Sequence, residues 1–283
     1  MKRRILSVFL CVALLFCTLS VLAAATDKTR YVVLGDSIAY GSGLSNPREA
    51  VYGRIVADTD GFAYENYAVP GHTTANLLHR MENETVAESI RKADIVNISI
   101  GGNNFLLGNL GGLLYDGIVK TDYTKFDEIA KGFSDDLHEI VGRLRDLNPD
   151  AAIVLQTIYN PQTSYVGDVY QNGADRINGK MFEFAEENPG EIIIADVASA
   201  LTDPDTDFAE DRIHPSAAGN EKIARCILQT LYDNGLGDAT EPVIAVPGTD
   251  LRGTGGFTQM VDFYGWLFHI LSVIRNLFAG MRV

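Results

Sequence analysis

The chain has few cysteines and little positive charge. Of its three cysteines, Cys11 and Cys17 lie near the N-terminus, which leaves Cys226 alone in the rest of the chain. A lone cysteine cannot form an intrachain disulfide, so the fold must be stabilised by packing. Lysine and arginine number 23 against 37 aspartates and glutamates, for a formal net charge of -14. We therefore expect no nucleic-acid partner, because phosphate repels so acidic a surface.

The N-terminus has the pattern of an export signal. Basic residues within the first four positions precede an apolar stretch over residues 5–22, and Ala23–Ala25 fits a cleavage site with small side chains. We expect residues 1–25 to be a signal peptide and the mature chain to begin near Thr26. The expected location is secreted or extracellular, with association at the cell surface left open. An uncleaved membrane anchor is the alternative, because the apolar stretch is long.

Short apolar and β-branched runs alternate with helical patterns along the chain. The runs predict strands over 30–34, 62–67, 94–100, 151–158 and 191–195. Apolar residues that recur every three or four positions predict helices over 73–81, 126–144, 174–187 and 216–232. This alternation predicts a doubly wound α/β domain, whose chemistry lies in loops after the carboxyl ends of the strands.

The composition changes after Leu236. Residues 237–256 contain two prolines and repeated glycine and threonine, which predicts a flexible linker after a domain over 26–236. Residues 257–283 carry large apolar side chains at helical spacing, which predicts an amphipathic C-terminal helix.

The C-terminal region has three interpretations, one of which is a sortase signal: Leu251-Arg252-Gly253-Thr254-Gly255 resembles a sortase site, with Arg252 in place of the proline that the motif requires. Trp266, Arg275 and Arg282 suit contact with a membrane surface or the cell envelope. Packing on the enzyme domain or on another chain is the alternative. If the helix serves attachment, truncation after Leu236 leaves hydrolysis of soluble substrates intact.

A serine and a histidine stand out as a candidate nucleophile and base. Ser37 directly follows the first predicted strand, although a helix cap is the ordinary role of a serine there. A serine alcohol attacks a carbonyl only when a base accepts its proton. Among the histidines, His214 has an acid, Asp211, three residues before it that is placed to orient the ring, whereas His72 lies in a loop that could also face the site. Local sequence alone allows Asp211 and His214 to be helix caps.

Two glycine-containing turns follow other predicted strands. They are Val69-Pro70-Gly71 and Gly101-Gly102-Asn103-Asn104. Backbone amides and side-chain amides in such turns can stabilise the oxyanion of a tetrahedral intermediate. Each turn taken alone could equally be an ordinary one.

Together the four segments resemble the four motif blocks of the SGNH, or GDSL-type, hydrolases, in the same order. The resemblance spans residues 30–232. It implies a flavodoxin-like three-layer α/β/α fold that hydrolyses esters through an acyl-enzyme, without a metal or organic cofactor. It also implies that Ser37 is the nucleophile and that His214 and Asp211 complete a catalytic triad.

The resemblance further implies an oxyanion hole formed by the backbone amides of Ser37 and Gly71 and the side-chain amide of Asn103. The sequence departs from the family pattern at Ile38, where the family's name has leucine, and at Asn104, where the third block often has aspartate. Neither departure removes a catalytic group. The change to Asn104 puts in doubt any charge-dependent positioning of the preceding loop.

The substrate must be inferred from two loops that follow predicted strands. Residues 105–124, rich in leucine and glycine, and 159–170, with three tyrosines, leave both carbohydrate acetyl esters and lipid esters open. The enzyme domain lacks an extended apolar surface motif, which favours short acyl groups. We expect a secreted serine esterase acting on short-acyl esters such as acetylated carbohydrates. A lipase, lysophospholipase or thioesterase of the same mechanism is the alternative, and a non-catalytic binding module is a third.

Overall fold

A parallel sheet of five strands forms the centre of the computed structural model, which describes residues 28–107 and 109–280. The strands are β1 Arg30–Gly35, β2 Ala63–Asn66, β3 Ile95–Ser99, β4 Ala152–Gln156 and β5 Ile193–Ala195. Their order across the sheet is β2-β1-β3-β4-β5. This architecture confirms the predicted doubly wound α/β fold. The predicted signal peptide, residues 1–25, lies outside the described residues.

Helices connect the strands and cover the sheet. They are α1 Ser37–Tyr40, α2 Pro47–Ala50, α3 Tyr52–Asp60, α4 Thr74–Met81, α5 Glu84–Arg91, α6 Gly102–Leu106, α7 Leu110–Tyr115, α8 Thr124–Leu147, α9 Gly167–Glu187, α10 Val197–Ala200, α11 Ala217–Asp233 and α12 Gly256–Gly280. Helices α4, α5, α8 and α9 pack on one face of the sheet. Helices α3 and α11 pack on the other face. The result is the expected three-layer α/β/α arrangement.

The central strands β1 and β3 end side by side at the carboxyl end of the sheet. Every residue of β3 is buried, as expected for a parallel strand covered on both faces. Gly35 at the end of β1 stands opposite Ser99 at the end of β3. A Cβ on Gly35 would lie 2.1 Å from the Ser99 carbonyl oxygen, and its φ is +138°. Only glycine fits where the chain leaves the sheet towards Ser37.

Two features between the predicted elements were not anticipated. Helices α3 and α5 lie where the sequence pattern predicted no element. Residues 105–124, predicted as a loop, contain the end of α6, the whole of α7 and a π-helical turn at Asp116–Lys120. Apolar residues of this segment belong to a third hydrophobic core cluster.

The segment predicted to be a flexible linker lies against the enzyme domain. The Ala239 N–H donates to Asp60 Oδ1 over 2.9 Å, and the Val243 N–H donates to Thr59 Oγ1 over 2.9 Å. Both acceptors are on α3. The glycines and prolines here prevent regular structure, but backbone donors still find partners on the domain surface. The segment therefore differs from the free connection that its composition predicts.

Helix α12 packs on the domain through one side of its first half, whereas Met260, Phe263 and Trp266 on its other side are exposed. Thr258 and Val261 are buried, and the Phe268 ring meets Tyr115 of α7 with ring centres 5.6 Å apart. The second half exposes large apolar side chains, namely Leu271, Val273, Ile274, Leu277 and Phe278. Among the described helices, none is both long and apolar enough to cross a membrane.

Candidate active site

The residues predicted to carry chemistry all lie at the carboxyl edge of the sheet. Ser37 is the first residue of α1, directly after β1, and Asn103 is in α6, just after β3. The loop that carries Gly71 is fixed to β1 because the Val69 N–H donates to the Gly35 carbonyl over 3.0 Å. His214 lies just before α11. The topology therefore gathers four separate segments at the edge where ligands bind in open α/β sheets.

His214 and Asp211 form a tight pair. His214 Nδ1 lies 2.7 Å from Asp211 Oδ2, and Asp211 Oδ1 accepts the backbone N–H groups of Ile213 and His214 at 3.0 Å each. Burial alone would raise the pKa of Asp211. The hydrogen bond and charge of His214, together with the two backbone amides, bring that pKa below its usual value. An ionised Asp211 makes Nδ1 the donor and leaves His214 Nε2 free to accept a proton.

Ser37 is nearly buried beside this pair. His214 lies against the turn that follows α1, because a Cβ on Gly43 would lie 3.1 Å from His214 Cβ. Catalytic hydrogen bonds are often long or poorly aligned in enzymes without substrate and tighten when it binds.

The three groups predicted to stabilise an oxyanion lie in segments at the carboxyl end of the sheet. The Ser37 N–H belongs to the first turn of α1, where helices leave amides unpaired. Gly71 has φ +83°, a left-handed conformation that favours glycine. Asn103 Nδ2 donates one of its two hydrogens to the His72 carbonyl over 2.9 Å, which fixes the amide while the second hydrogen stays available. These are the three groups that the sequence predicts to form an oxyanion hole.

His72 contributes its backbone to the site. Its carbonyl orients Asn103, whereas its Nδ1 is buried without a partner within the described ranges. Burial, followed by the nearby charge of Arg80, lowers the pKa of the His72 ring. The structure pairs His214 with an acid and gives His72 none. Across the described residues, no cluster of acidic, histidine or cysteine side chains could hold a metal ion.

Asn104 is tied to helix α8 through Thr74. Asn104 Oδ1 accepts the Thr74 N–H at 3.2 Å, and Asn104 Nδ2 donates to Thr74 Oγ1 at 2.8 Å. The Thr74 hydroxyl in turn donates to Asp136 of α8. A carboxylate thus acts on this loop from a distant helix, although Asn104 itself carries no charge. The sequence contained no signal for Thr74 or Asp136, because they meet Asn104 only in the folded chain.

Asp36 is a buried carboxyl directly before the serine. It caps α1 by accepting the Ile38 N–H over 2.9 Å. Burial raises the pKa of Asp36 to about 7, against the opposing effects of the Ile38 amide and the charge of His214. The residue was visible in the Gly35-Asp36-Ser37 motif. Its shifted pKa was not, because the shift comes from the surrounding packing.

A cavity lies next to the residues that flank Ser37 and Asn103. It contains about 530 Å³ of empty space including its open mouth. Its walls are mostly apolar. Both loops predicted to contact substrate contribute to the walls, through Phe105, Leu106, Tyr159, Pro161 and Tyr170. The other apolar wall residues are Ile38, Ile158, Val197 and Ile213.

Comparison with known proteins gives a family and a fold. Residues 33–222 match the model of the GDSL-like lipase/acylhydrolase family. The YpmR protein of Bacillus subtilis is 26% identical over 233 residues, which are 76% of this chain and 87% of that protein.

Two solved structures have the same fold at low sequence identity. A lipase from a goat rumen metagenome superposes with a TM-score of 0.58 at 20% identity, covering 74% of this chain and 98% of that one. An extracellular lipase from Streptomyces rimosus gives 0.57 at 17% identity, covering 72% and 99%. At such identities the likeness concerns the fold.

The raised pKa of Asp36 predicts a pH-dependent cost to stability. Its value of about 7 in the folded chain lies above the ordinary 3.8. The free energy that the protonated Asp36 contributes to the folded state is therefore fully present below about pH 4 and is lost as the pH rises through 7. As the pH rises from 5 to 8, the unfolding free energy of Asp36→Asn should increase by about 3 kcal/mol relative to that of the parent, because asparagine does not ionise. Chemical denaturation at each pH measures this difference.

Asp150→Asn, at an exposed carboxyl, is the control and should show no such gain. A constant difference between Asp36→Asn and the parent across this pH range would contradict the assignment.

Proposed function

Because the chain belongs to the GDSL-like lipase/acylhydrolase family and is an ester hydrolase, we propose that it cleaves short-acyl esters through an acyl-enzyme on Ser37. His214 Nε2 takes the hydroxyl proton as Ser37 Oγ attacks the ester carbonyl carbon. The tetrahedral intermediate collapses, and His214 returns the proton to the departing alcohol. Water, activated by His214, then releases the acid. Asp211 orients the imidazole and stabilises its positive charge.

The negative charge of the tetrahedral intermediate falls on the former carbonyl oxygen. We assign its stabilisation to the backbone amides of Ser37 and Gly71 and the Asn103 side chain. Fixed donors are effective here because they need no reorganisation as the charge develops. The Asn103 bond to the His72 carbonyl holds one such donor in place before substrate binds.

The apolar cavity supports a short acyl group. Its empty space of about 530 Å³ includes the open mouth, and its walls are mostly apolar, which suits a small apolar group. Acetyl to butyryl groups are the acyl groups we propose for it. Acetylated carbohydrates combine a small acyl group with a bulky alcohol, and they are the substrate class we propose. Lipase, lysophospholipase or thioesterase activity is the alternative.

The catalytic assignment is tested by two substitutions. Ser37→Ala should abolish hydrolysis of 4-nitrophenyl acetate and labelling by a fluorophosphonate while the fold is retained. Asn103→Ala should lower kcat by roughly 100- to 1,000-fold with a smaller change in KM, because it removes one oxyanion donor. Steady-state kinetics and circular dichroism measure both effects. Activity or labelling retained in Ser37→Ala would refute the nucleophile, and an inactive parent would favour a binding module.

The cavity predicts the preferred acyl chain. On 4-nitrophenyl esters from acetyl to palmitoyl, kcat/KM should be highest at two to four carbons. Leu106→Ala enlarges the cavity and should move the optimum to longer chains. Leu107→Ala is the matched control, because the adjacent leucine is exposed and does not line the cavity. A parent optimum at eight carbons or more would favour the lipase alternative.

We also propose that the protein is exported and contacts the cell envelope. The N-terminal signal pattern supports export. The exposed apolar side chains at the end of α12, with Leu277 and Phe278 at 60% and 62% exposure, support contact with a lipid surface.

Export and surface contact are tested on the protein as its source cell makes it. Mass spectrometry should find a mature N-terminus near Thr26. The mature protein should sediment with phosphatidylcholine vesicles, and Leu277→Glu with Phe278→Glu should prevent this. Val243→Glu, at an equally exposed site away from α12, should have no effect. Sedimentation that is absent from the parent, or unchanged by the two substitutions, would reject the lipid contact.

A further inference from the structure

The C-terminal segment reaches the backbone of the proposed catalytic acid. Thr258, in the first turn of α12, donates its hydroxyl to the carbonyl oxygen of Asp211. Thr258 is 6% exposed, so water competes little for this hydrogen bond. The contact joins residues 47 positions apart. It also lies beyond the family match, which ends at residue 222.

The backbone that Thr258 holds has an unfavourable conformation. Arg212 follows Asp211 and has φ +46°, in the left-handed region that few non-glycine residues adopt. Its own carbonyl accepts a hydrogen bond from Gln162 Nε2 over 2.8 Å. Two consecutive carbonyls, those of Asp211 and Arg212, are therefore held by side chains from outside the loop. Such bonds are needed because a strained conformation persists only when its surroundings fix it.

The residues before α12 attach to both sides of the same loop. The Gly253 N–H donates to Glu210 Oε2 over 2.7 Å, just before Asp211. Asp250 Oδ1 accepts the Ala217 N–H over 2.7 Å, at the start of α11 just after the loop.

A third attachment joins this segment to the serine side of the site. The Leu251 N–H donates to the Gly43 carbonyl over 2.8 Å. A Cβ at Gly43 would lie 3.1 Å from His214 Cβ. The segment therefore holds the chain on either side of the imidazole.

Helix α12 anchors this segment to the wall of the cavity. Val261 is 1% exposed and packs in the same cluster as Phe105, which lines the cavity. An exposed pair between Arg212 Nη1 and Asp262 Oδ2, 3.9 Å apart, adds little because water screens it. The anchor is thus the apolar contact, and it fixes the position of Thr258.

We propose that residues 249–262, here called the C-terminal clasp, hold the Asp211–His214 loop in its working geometry, with Thr258 as a positioning residue. The inference rests on the proposed roles of Asp211 and His214. The clasp acts through the backbone of Asp211 and so fixes the direction from which its carboxylate meets the imidazole. The C-terminal region is then part of the working enzyme, and truncation after Leu236 should remove activity as well as any attachment.

The test compares three substitutions in the full-length protein. Thr258→Val keeps the shape and removes the hydroxyl, and it should lower kcat about 3- to 10-fold, the value of one hydrogen bond, with KM little changed. Thr258→Ser keeps the hydroxyl and should restore kcat. Thr254→Val is the matched control, because the buried Thr254 hydroxyl has no partner in the described residues. It should leave kcat unchanged.

A spectroscopic measurement separates positioning from general destabilisation. In Thr258→Val, the low-field proton resonance of the His214–Asp211 hydrogen bond should shift or broaden at a temperature where the protein is fully folded. Unchanged kcat in Thr258→Val, failure of Thr258→Ser to restore it, or an equal loss in Thr254→Val would overturn the proposal. Failure of the catalytic assignment itself would appear separately, as activity retained in Ser37→Ala or His214→Ala.

Discussion

The loops at the carboxyl edge of the sheet are organised around one hydrogen bond, 2.7 Å long, between His214 Nδ1 and Asp211 Oδ2. It requires Asp211 to be ionised although it is 8% exposed, and burial opposes that charge. Two backbone amides and the imidazole overcome this opposition. Those amides can point at the carboxylate only if the chain turns tightly between positions 211 and 214. The strained φ of Arg212 follows from that turn, and so does the need for bonds from Gln162 and Thr258.

The sheet supplies a rigid frame for this bond. Ser37 and Asn103 follow strands that pair directly, and the close approach of Gly35 to the Ser99 carbonyl fixes where the first chain turns away. This part of the site was predictable from sequence, because strand periodicity and the position of a motif after a strand are local properties. The confirmed α/β fold and family both rest on such local signals.

The second layer of contacts was not predictable, for a physical reason. Thr74 and Asp136 are 62 positions apart, and Thr258 is 47 positions from Asp211, so no local pattern relates the partners. Threonines within helices are ordinary, and nothing in their neighbouring residues marks a hydroxyl that donates to a distant carboxylate or carbonyl. The glycine- and proline-rich composition of residues 237–256 was misleading for a related reason. Such composition reports the absence of regular structure, whereas docking depends on partners elsewhere in the chain.

Asp211 and Asp36, the two carboxyl groups near the His214 imidazole, differ in protonation state. Asp211 accepts two backbone amides and pairs with His214, which holds its pKa below the ordinary value. Asp36 accepts one backbone amide and feels the imidazole only at longer range, so burial dominates and raises its pKa to about 7. Because the environments push the two pKa values apart, Asp211 is the acid that carries the negative charge opposite His214. The hydrogen bonds that Asp211 makes, rather than distance along the chain from the serine, favour Asp211 over Asp36 as the acid that would orient the proposed base.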